Sequence, residues 1–116
     1  MDIAMIGLGK MGANMVTRLL NGGHRVVAYD LNAAAIKAVE DKGAVGAHTL
    51  AEVVQKLPQP RAVWVMVPSG KPTEDTINAL MAVLAPGDIL IDGGNSNYKD
   101  SIRRAATVDQ KGLHYI

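Results

Sequence analysis

The run Gly7-Leu8-Gly9-Lys10-Met11-Gly12 is a Gly-x-Gly-x-x-Gly triplet between a short apolar stretch, Ile3 to Ile6, and a segment of helical period that opens at Met11. In that position each glycine has its own use. The first permits a tight turn, the second lets the main chain approach a pyrophosphate, and the third lets helix and strand pack in contact. Unpaired N–H groups at the helix start would then face the phosphates. With 12 glycines in the chain a chance triplet is easy, so the flanking strand and helix carry more weight than the glycines themselves. An ordinary strand-to-helix turn is the alternative.

Asp30 stands 18 residues beyond Gly12 and directly after the apolar stretch Val26 to Tyr29. That is a strand's carboxyl end, where the dinucleotide fingerprint puts the acid that binds the adenosine ribose. A carboxylate accepts from both ribose hydroxyls, whereas a 2′-phosphate would set like charges side by side, at a cost on the order of a few kcal/mol for an effective dielectric of about 20. Neither Leu31 nor Asn32 supplies a compensating Arg, although Lys37 could reach back. The prediction is NAD rather than NADP; a solvated turn acid is the plain alternative.

Two more loops end on apolar stretches. Asp92-Gly93-Gly94-Asn95-Ser96 follows Ile89 to Ile91, and Val67-Pro68-Ser69-Gly70 closes the stretch Ala62 to Val67. Each either borders a ligand, with Val67, Pro68 and Ser69 on the nicotinamide-side ribose, or is a plain turn in which Asn95 or Ser96 caps a helix. His24, His48 and His114 lack helical spacing partners and read as structural, and Met11 with Met15 reads as core packing. No activated nucleophile, carboxylate pair or metal cluster can be assembled, so neither a catalytic nor a metal-binding residue is predicted.

The elements that must hold these groups alternate. Ile3 to Ile6, Val26 to Tyr29, Ala62 to Val67 and Ile89 to Ile91 are short, apolar and β-branched, as strands covered on both faces should be. Weaker strands fall at Val45 and at Leu113 to Ile116. Between them, helical stripes run through Met11, Met15, Val16, Leu19 and Leu20, stopped by left-handed Gly22 and Gly23, and through Ile36 and Val39 behind the cap Asn32, ending at Gly43. Thr49 and Glu52 have capping-box spacing before Val53, Val54 and Leu57. Thr73 is the expected cap for Ile77, Leu80, Met81 and Leu84, and a last helix carries Tyr98, Ile102, Ala105 and Ala106. Alternation of this kind implies an α/β fold: a doubly wound, six-stranded parallel Rossmann sheet, strand order 3-2-1-4-5-6, with helices on both faces and ligand at the carboxyl edge.

Composition agrees with one such domain over residues 1–116. At 48% apolar and 20% charged, the chain can bury a core without staples, and zero Cys excludes disulfides, thiolate metal sites and a cysteine nucleophile. Twelve basic against 11 acidic residues, with no basic block, point away from nucleic acid and anionic membranes. The apolar runs are too short to span a bilayer and no secretory leader is evident, so a cytoplasmic location is expected.

Gly7-Leu8-Gly9-Lys10-Met11-Gly12-Ala13-Asn14-Met15 and Asp92-Gly93-Gly94-Asn95-Ser96-Asn97-Tyr98-Lys99-Asp100 together resemble the decarboxylating 6-phosphogluconate dehydrogenases. The likeness runs through the whole chain to Gly112-Leu113-His114-Tyr115-Ile116, and the Asp-Gly-Gly-Asn-Ser stretch separates it from the related 3-hydroxyisobutyrate dehydrogenases. NADP-using members carry Asn-Arg-Thr where Asp30-Leu31-Asn32 stands here, which resembles the short, NAD-preferring bacterial branch. The resemblance implies that Leu8 to Gly12 hold the pyrophosphate, Asp30 the ribose, and Val67 to Ser69 the nicotinamide side, with Asn95 between nicotinamide and substrate. It further implies hydride transfer from C3 of 6-phosphogluconate and loss of its carboxylate to give ribulose 5-phosphate. The family's acid–base Lys and Glu belong to a following helical domain. The expectation is therefore a cofactor domain that binds NAD without turning over substrate, and that self-associates through surface left uncovered. A cofactor domain of a related 3-hydroxyacid dehydrogenase, a free-standing nucleotide-binding module and an engineered domain are the other readings.

Overall fold

The computed structural model describes residues 2–67, 71–93, 112 and 114–115. Its elements are β1 (Asp2–Ile6), α1 (Lys10–Asn21), β2 (Arg25–Tyr29), α2 (Ala33–Glu40), β3 (Val45–Gly46), α3 (Leu50–Gln55), β4 (Ala62–Val65), α4 (Lys71–Val83), β5 (Ile89–Asp92) and β6 (His114–Tyr115). They form one parallel sheet in the order β3-β2-β1-β4-β5-β6. This is the doubly wound order expected. From β1 the chain winds outward through β2 and β3, then returns to β4 on the other side, so the crevice between β1 and β4 is the topological switch point.

Strand residues alternate between two cores. Ala4, Ile6, Val27, Val63, Val65 and Leu90 face α3 and α4, packing on Val53, Leu57, Ile77 and Leu80. Ile3, Met5, Val26, Ala28 and Ala62 face α1 and α2, packing on Val16, Ile36 and Val39. Both faces of β1, β2 and β4 are thereby covered, which explains why these strands read as continuous apolar runs rather than as alternating ones.

Helix ends follow local chemistry. At the end of α1, Gly23 takes the left-handed conformation (φ 84°), and the N–H groups of Gly23 and His24 donate to Leu20 and Leu19. That is a Schellman closure, with Gly23 rather than Gly22 as the left-handed residue. Gly43 closes α2 in the same way, with the helix itself ending at Glu40. Asn32 caps α2 by accepting the N–H of Ala34 at 2.9 Å. Thr49 caps α3 through the N–H of Glu52, but Glu52 reaches one residue further back than a capping box requires, accepting from His48 at 2.9 Å. That backbone donor holds the Glu52 carboxyl below its ordinary value, against a raising contribution from desolvation and with smaller help from Lys56.

Three expectations are corrected. β4 ends at Val65 and not at Val67, because its partner β1 ends at Ile6, where Gly7 turns away with φ 99° and leaves no further ladder. α4 starts at Lys71, which puts Thr73 inside its first turn rather than at its cap. Met11 is 69% exposed and is not core: in the first turn of α1 it is the neighbouring Gly12 that meets the end of β1, while Met15 further along does pack in the core. The expected helix around Ile102 lies outside the described residues, as do Leu113 and Ile116. Among the described residues no helix is long and apolar enough to cross a membrane.

Candidate functional site

Gly7 leaves β1 with its N–H on the carbonyl of Tyr29 at 2.9 Å. Its neighbours at the carboxyl edge continue the pattern: Met66 donates to Ile6 at 2.7 Å and Gly93 to Val65 at 2.9 Å. The turn between β1 and α1 is thus seated on a hydrogen-bonded row crossing four strands.

The three glycines of the turn have three separable causes. Gly7 has φ 99°, and a Cβ there would run into the carbonyl of Met66 and reach Val67 Cγ1 at 3.0 Å. Gly12 is buried in α1, and a Cβ there would collide with the carbonyl oxygen of Gly7. Both are therefore glycine for the fold's own sake. Gly9 is different. It has φ −64° and ψ −174°, which any residue adopts, and a Cβ there would meet nothing within 4 Å. Neither conformation nor internal packing requires glycine at position 9. The space beside Gly9 is open to whatever approaches the turn from outside.

The start of α1 is suited to an anion. Its cap is Gly9, with no side-chain acceptor, and no acidic residue lies in its first turn. The first intrahelical bond closes from Ala13 to Gly9, so the N–H groups of Lys10, Met11 and Gly12 have no helical acceptor. Both the helix dipole and exposed Lys10 favour negative charge there. By contrast, α2 and α3 are capped by Asn32 and Thr49.

Asp30 closes the other side. Its Oδ2 accepts the N–H of Leu8 at 2.7 Å and its Oδ1 the N–H of Asn32 at 2.8 Å. The acid and the turn, 22 residues apart, are therefore in direct contact. Leu8 itself is 6% exposed: its side chain packs in the core with Val16 and Ile36, and only its main chain faces the turn. Val67 is half-buried beside Gly7. Of the other expected residues, Pro68, Ser69 and Asn95 lie outside the described residues, as does Ser96. Among the described residues no cluster of metal-ligating side chains is present.

Two features escaped sequence reasoning. Among the described residues, Leu31, 94% exposed, and Met11 are the exposed large hydrophobic ones, and each adjoins Asp30 or the turn. The signal for Leu31 was an apolar residue directly after a strand-end acid. Met66, beneath Gly7 and Gly12, gave no signal beyond its place in an apolar run.

Known proteins share this sequence and this fold. Residues 2–116 match the family model described as the NAD binding domain of 6-phosphogluconate dehydrogenase. The NAD(+)-dependent, decarboxylating 6-phosphogluconate dehydrogenase of Haloferax volcanii is 43% identical over 105 residues, covering 90% of this chain and 35% of the relative. Among solved structures, Plasmodium falciparum 6-phosphogluconate dehydrogenase, determined with NADP+ and with 6-phosphogluconate, superimposes with a TM-score of 0.92 at 27% identity, covering 99% of this chain and 26% of that one. Mycobacterium tuberculosis 3-hydroxyisobutyrate dehydrogenase gives 0.87 at 26% identity, covering 98% and 38%. The chain thus spans well under half the length of each.

Proposed function

This chain belongs to the family of the NAD binding domain of 6-phosphogluconate dehydrogenase, and from that premise we propose that it binds NAD across the β1–α1 turn for the oxidative decarboxylation of 6-phosphogluconate. The observation that carries the reading is Gly9: a glycine with an ordinary backbone and open space at its Cβ, at the cap of a helix whose first N–H groups lack helical acceptors.

In this reading the dinucleotide's pyrophosphate lies over Gly9 and receives hydrogen bonds from the first turn of α1, with Lys10 adding positive charge. Asp30 accepts from the adenosine ribose, and exposed Leu31 offers an apolar surface to the adenine. Val67, Pro68 and Ser69 border the nicotinamide side, and Asn95 lies between nicotinamide and substrate. Bound there, the nicotinamide supplies a hydride acceptor. The chain's own contribution is orientation: it fixes the phosphates on a rigid sheet edge, so that the ring end falls at the switch point between β1 and β4.

NAD is preferred to NADP. Asp30 sits where a 2′-phosphate would, and Leu31 and Asn32 bring no positive charge to offset it. A 3-hydroxyisobutyrate-type substrate is the second reading, since that enzyme shares the fold; the Asp92-Gly93-Gly94-Asn95-Ser96 stretch favours 6-phosphogluconate. Calorimetric titration of the chain with NADH and NADPH tests the proposal. Saturable NADH binding with weaker NADPH binding is expected, and no heat from either cofactor would contradict it.

A further inference from the structure

We propose that Asp30 is a positioning residue for the phosphate turn as well as a ligand of the ribose, an inference that rests on reading the turn as the cofactor site. Both carboxylate oxygens already hold backbone: Oδ2 the N–H of Leu8 and Oδ1 the N–H of Asn32. An ionised carboxylate has about four acceptor positions, so about one remains on each oxygen. The ribose diol and the two N–H groups can therefore be served at once.

The bond to Leu8 holds the main chain of the turn between two points that are fixed in other ways, Gly7 on Tyr29 and the Gly9 carbonyl on the N–H of Ala13. Gly7 is fixed by its N–H on Tyr29 and by the carbonyl of Met66 behind it, and Gly12 is fixed against Gly7. Between them, Gly9 has nothing within reach of a Cβ. Leu8 is anchored by its buried side chain on one side and by Asp30 on the other, and through Leu8 the position of Gly9 is set. The same bond turns the Leu8 N–H toward Asp30 and away from an incoming phosphate. Reception of the anion then falls to the first turn of α1. Removing the carboxylate leaves the Leu8 N–H without its acceptor and lets the turn rotate.

This role predicts an effect opposite in sign to simple electrostatics. Taking a negative charge from beside a phosphate site should tighten anion binding by Coulomb's law. Disordering the turn should weaken it. The probes are ADP and 2′,3′-dideoxy-ADP, the second lacking the hydroxyls that Asp30 would bind, titrated calorimetrically into the wild type and Asp30→Ala. The proposal expects Asp30→Ala, which takes away every side-chain acceptor, to weaken dideoxy-ADP by about tenfold, the equivalent of one charge-assisted backbone hydrogen bond. An unchanged or tightened dideoxy-ADP affinity, with only ADP weakened, would overturn the positioning role and leave the site reading intact. If neither nucleotide binds the wild type, the site reading itself fails. A measurement on the wild type alone covers the case in which Asp30→Ala does not fold: the scalar coupling across the hydrogen bond from Leu8 nitrogen to Asp30 Cγ should persist when the chain is saturated with ADP. Its loss on saturation would overturn the proposal.

Discussion

Gly12 rests on Gly7: the Cα of the helix residue comes so close to the carbonyl oxygen of the strand-end residue that no side-chain carbon fits between them. Helix α1 is seated on the end of β1 by this contact, and its first turn opens at the switch point because of it. Gly12→Ala should therefore destabilise the fold by about 1–3 kcal/mol or more through overpacking against backbone. Gly7→Ala should do at least as much, adding left-handed strain to a collision with Met66. Urea unfolding reads both; midpoints like the wild type's would refute the packing argument.

At the opposite edge of the sheet, Asp88 is fully buried and accepts from the N–H of Arg61 at 2.7 Å, the N–H of Ala85 at 2.8 Å and the Arg61 guanidinium at 3.2 Å. This network staples the entry to β4 onto the entry to β5. Arg61→Met should cost about 3 kcal/mol, because it leaves a buried carboxylate without its counter-ion. NADH affinity, measured well below the lowered melting temperature, should be unchanged, since the pair lies away from the carboxyl edge. A parallel loss of affinity would show that the two edges are coupled.

For Glu52 the folded-state pKa lies below the ordinary value of 4.5, first because the His48 N–H donates to it. A depressed carboxyl contributes stability above its unfolded pKa and loses it as pH falls through the folded one. Glu52→Gln should accordingly melt slightly below the wild type at neutral pH, and the gap should close as the pH is lowered through the carboxyl's depressed pKa. A gap that is constant with pH would assign the effect to helix propensity instead.

Cofactor choice should follow Asp30. NADH should be preferred to NADPH by about 1–3 kcal/mol in the wild type, and Asp30→Ala should narrow that ratio by removing the like charge. Equal affinities in the wild type would sink the assignment of Asp30 to the ribose.

Much of this arrangement was legible in the residues. Covered parallel strands announce themselves as apolar runs, and Gly7, Gly12 and Asp30 are tied to backbone features that tolerate few substitutes. What the sequence hid depends on where elements end in space. Met11 has the right spacing for the stripe of α1, yet in that first turn it is Gly12 that meets the end of β1 and Met11 is exposed, and periodicity does not show which residue of a terminal turn makes the contact. Val67 belongs to an apolar run, but a strand lasts only as long as its neighbour, and β1 stops at Gly7. The bond between Asp30 and Leu8 joins two segments whose register across β1 and β2 has to be known first. Glu52 sits at capping-box spacing, and only the backbone path reveals that it serves His48 rather than Thr49.

Gly9 separates ligand from fold more cleanly than any other position, because its glycine has no internal cause. The decisive measurement is the calorimetric affinity of Gly9→Val for NADH, taken with its urea-unfolding midpoint beside those of the wild type. A variant that stays folded, its midpoint lowered by no more than a poorer helix cap costs, and whose NADH binding falls below detection is expected, since the new side chain fills the space of the pyrophosphate. A stable Gly9→Val that binds NADH as the wild type does would place the cofactor elsewhere and contradict the account.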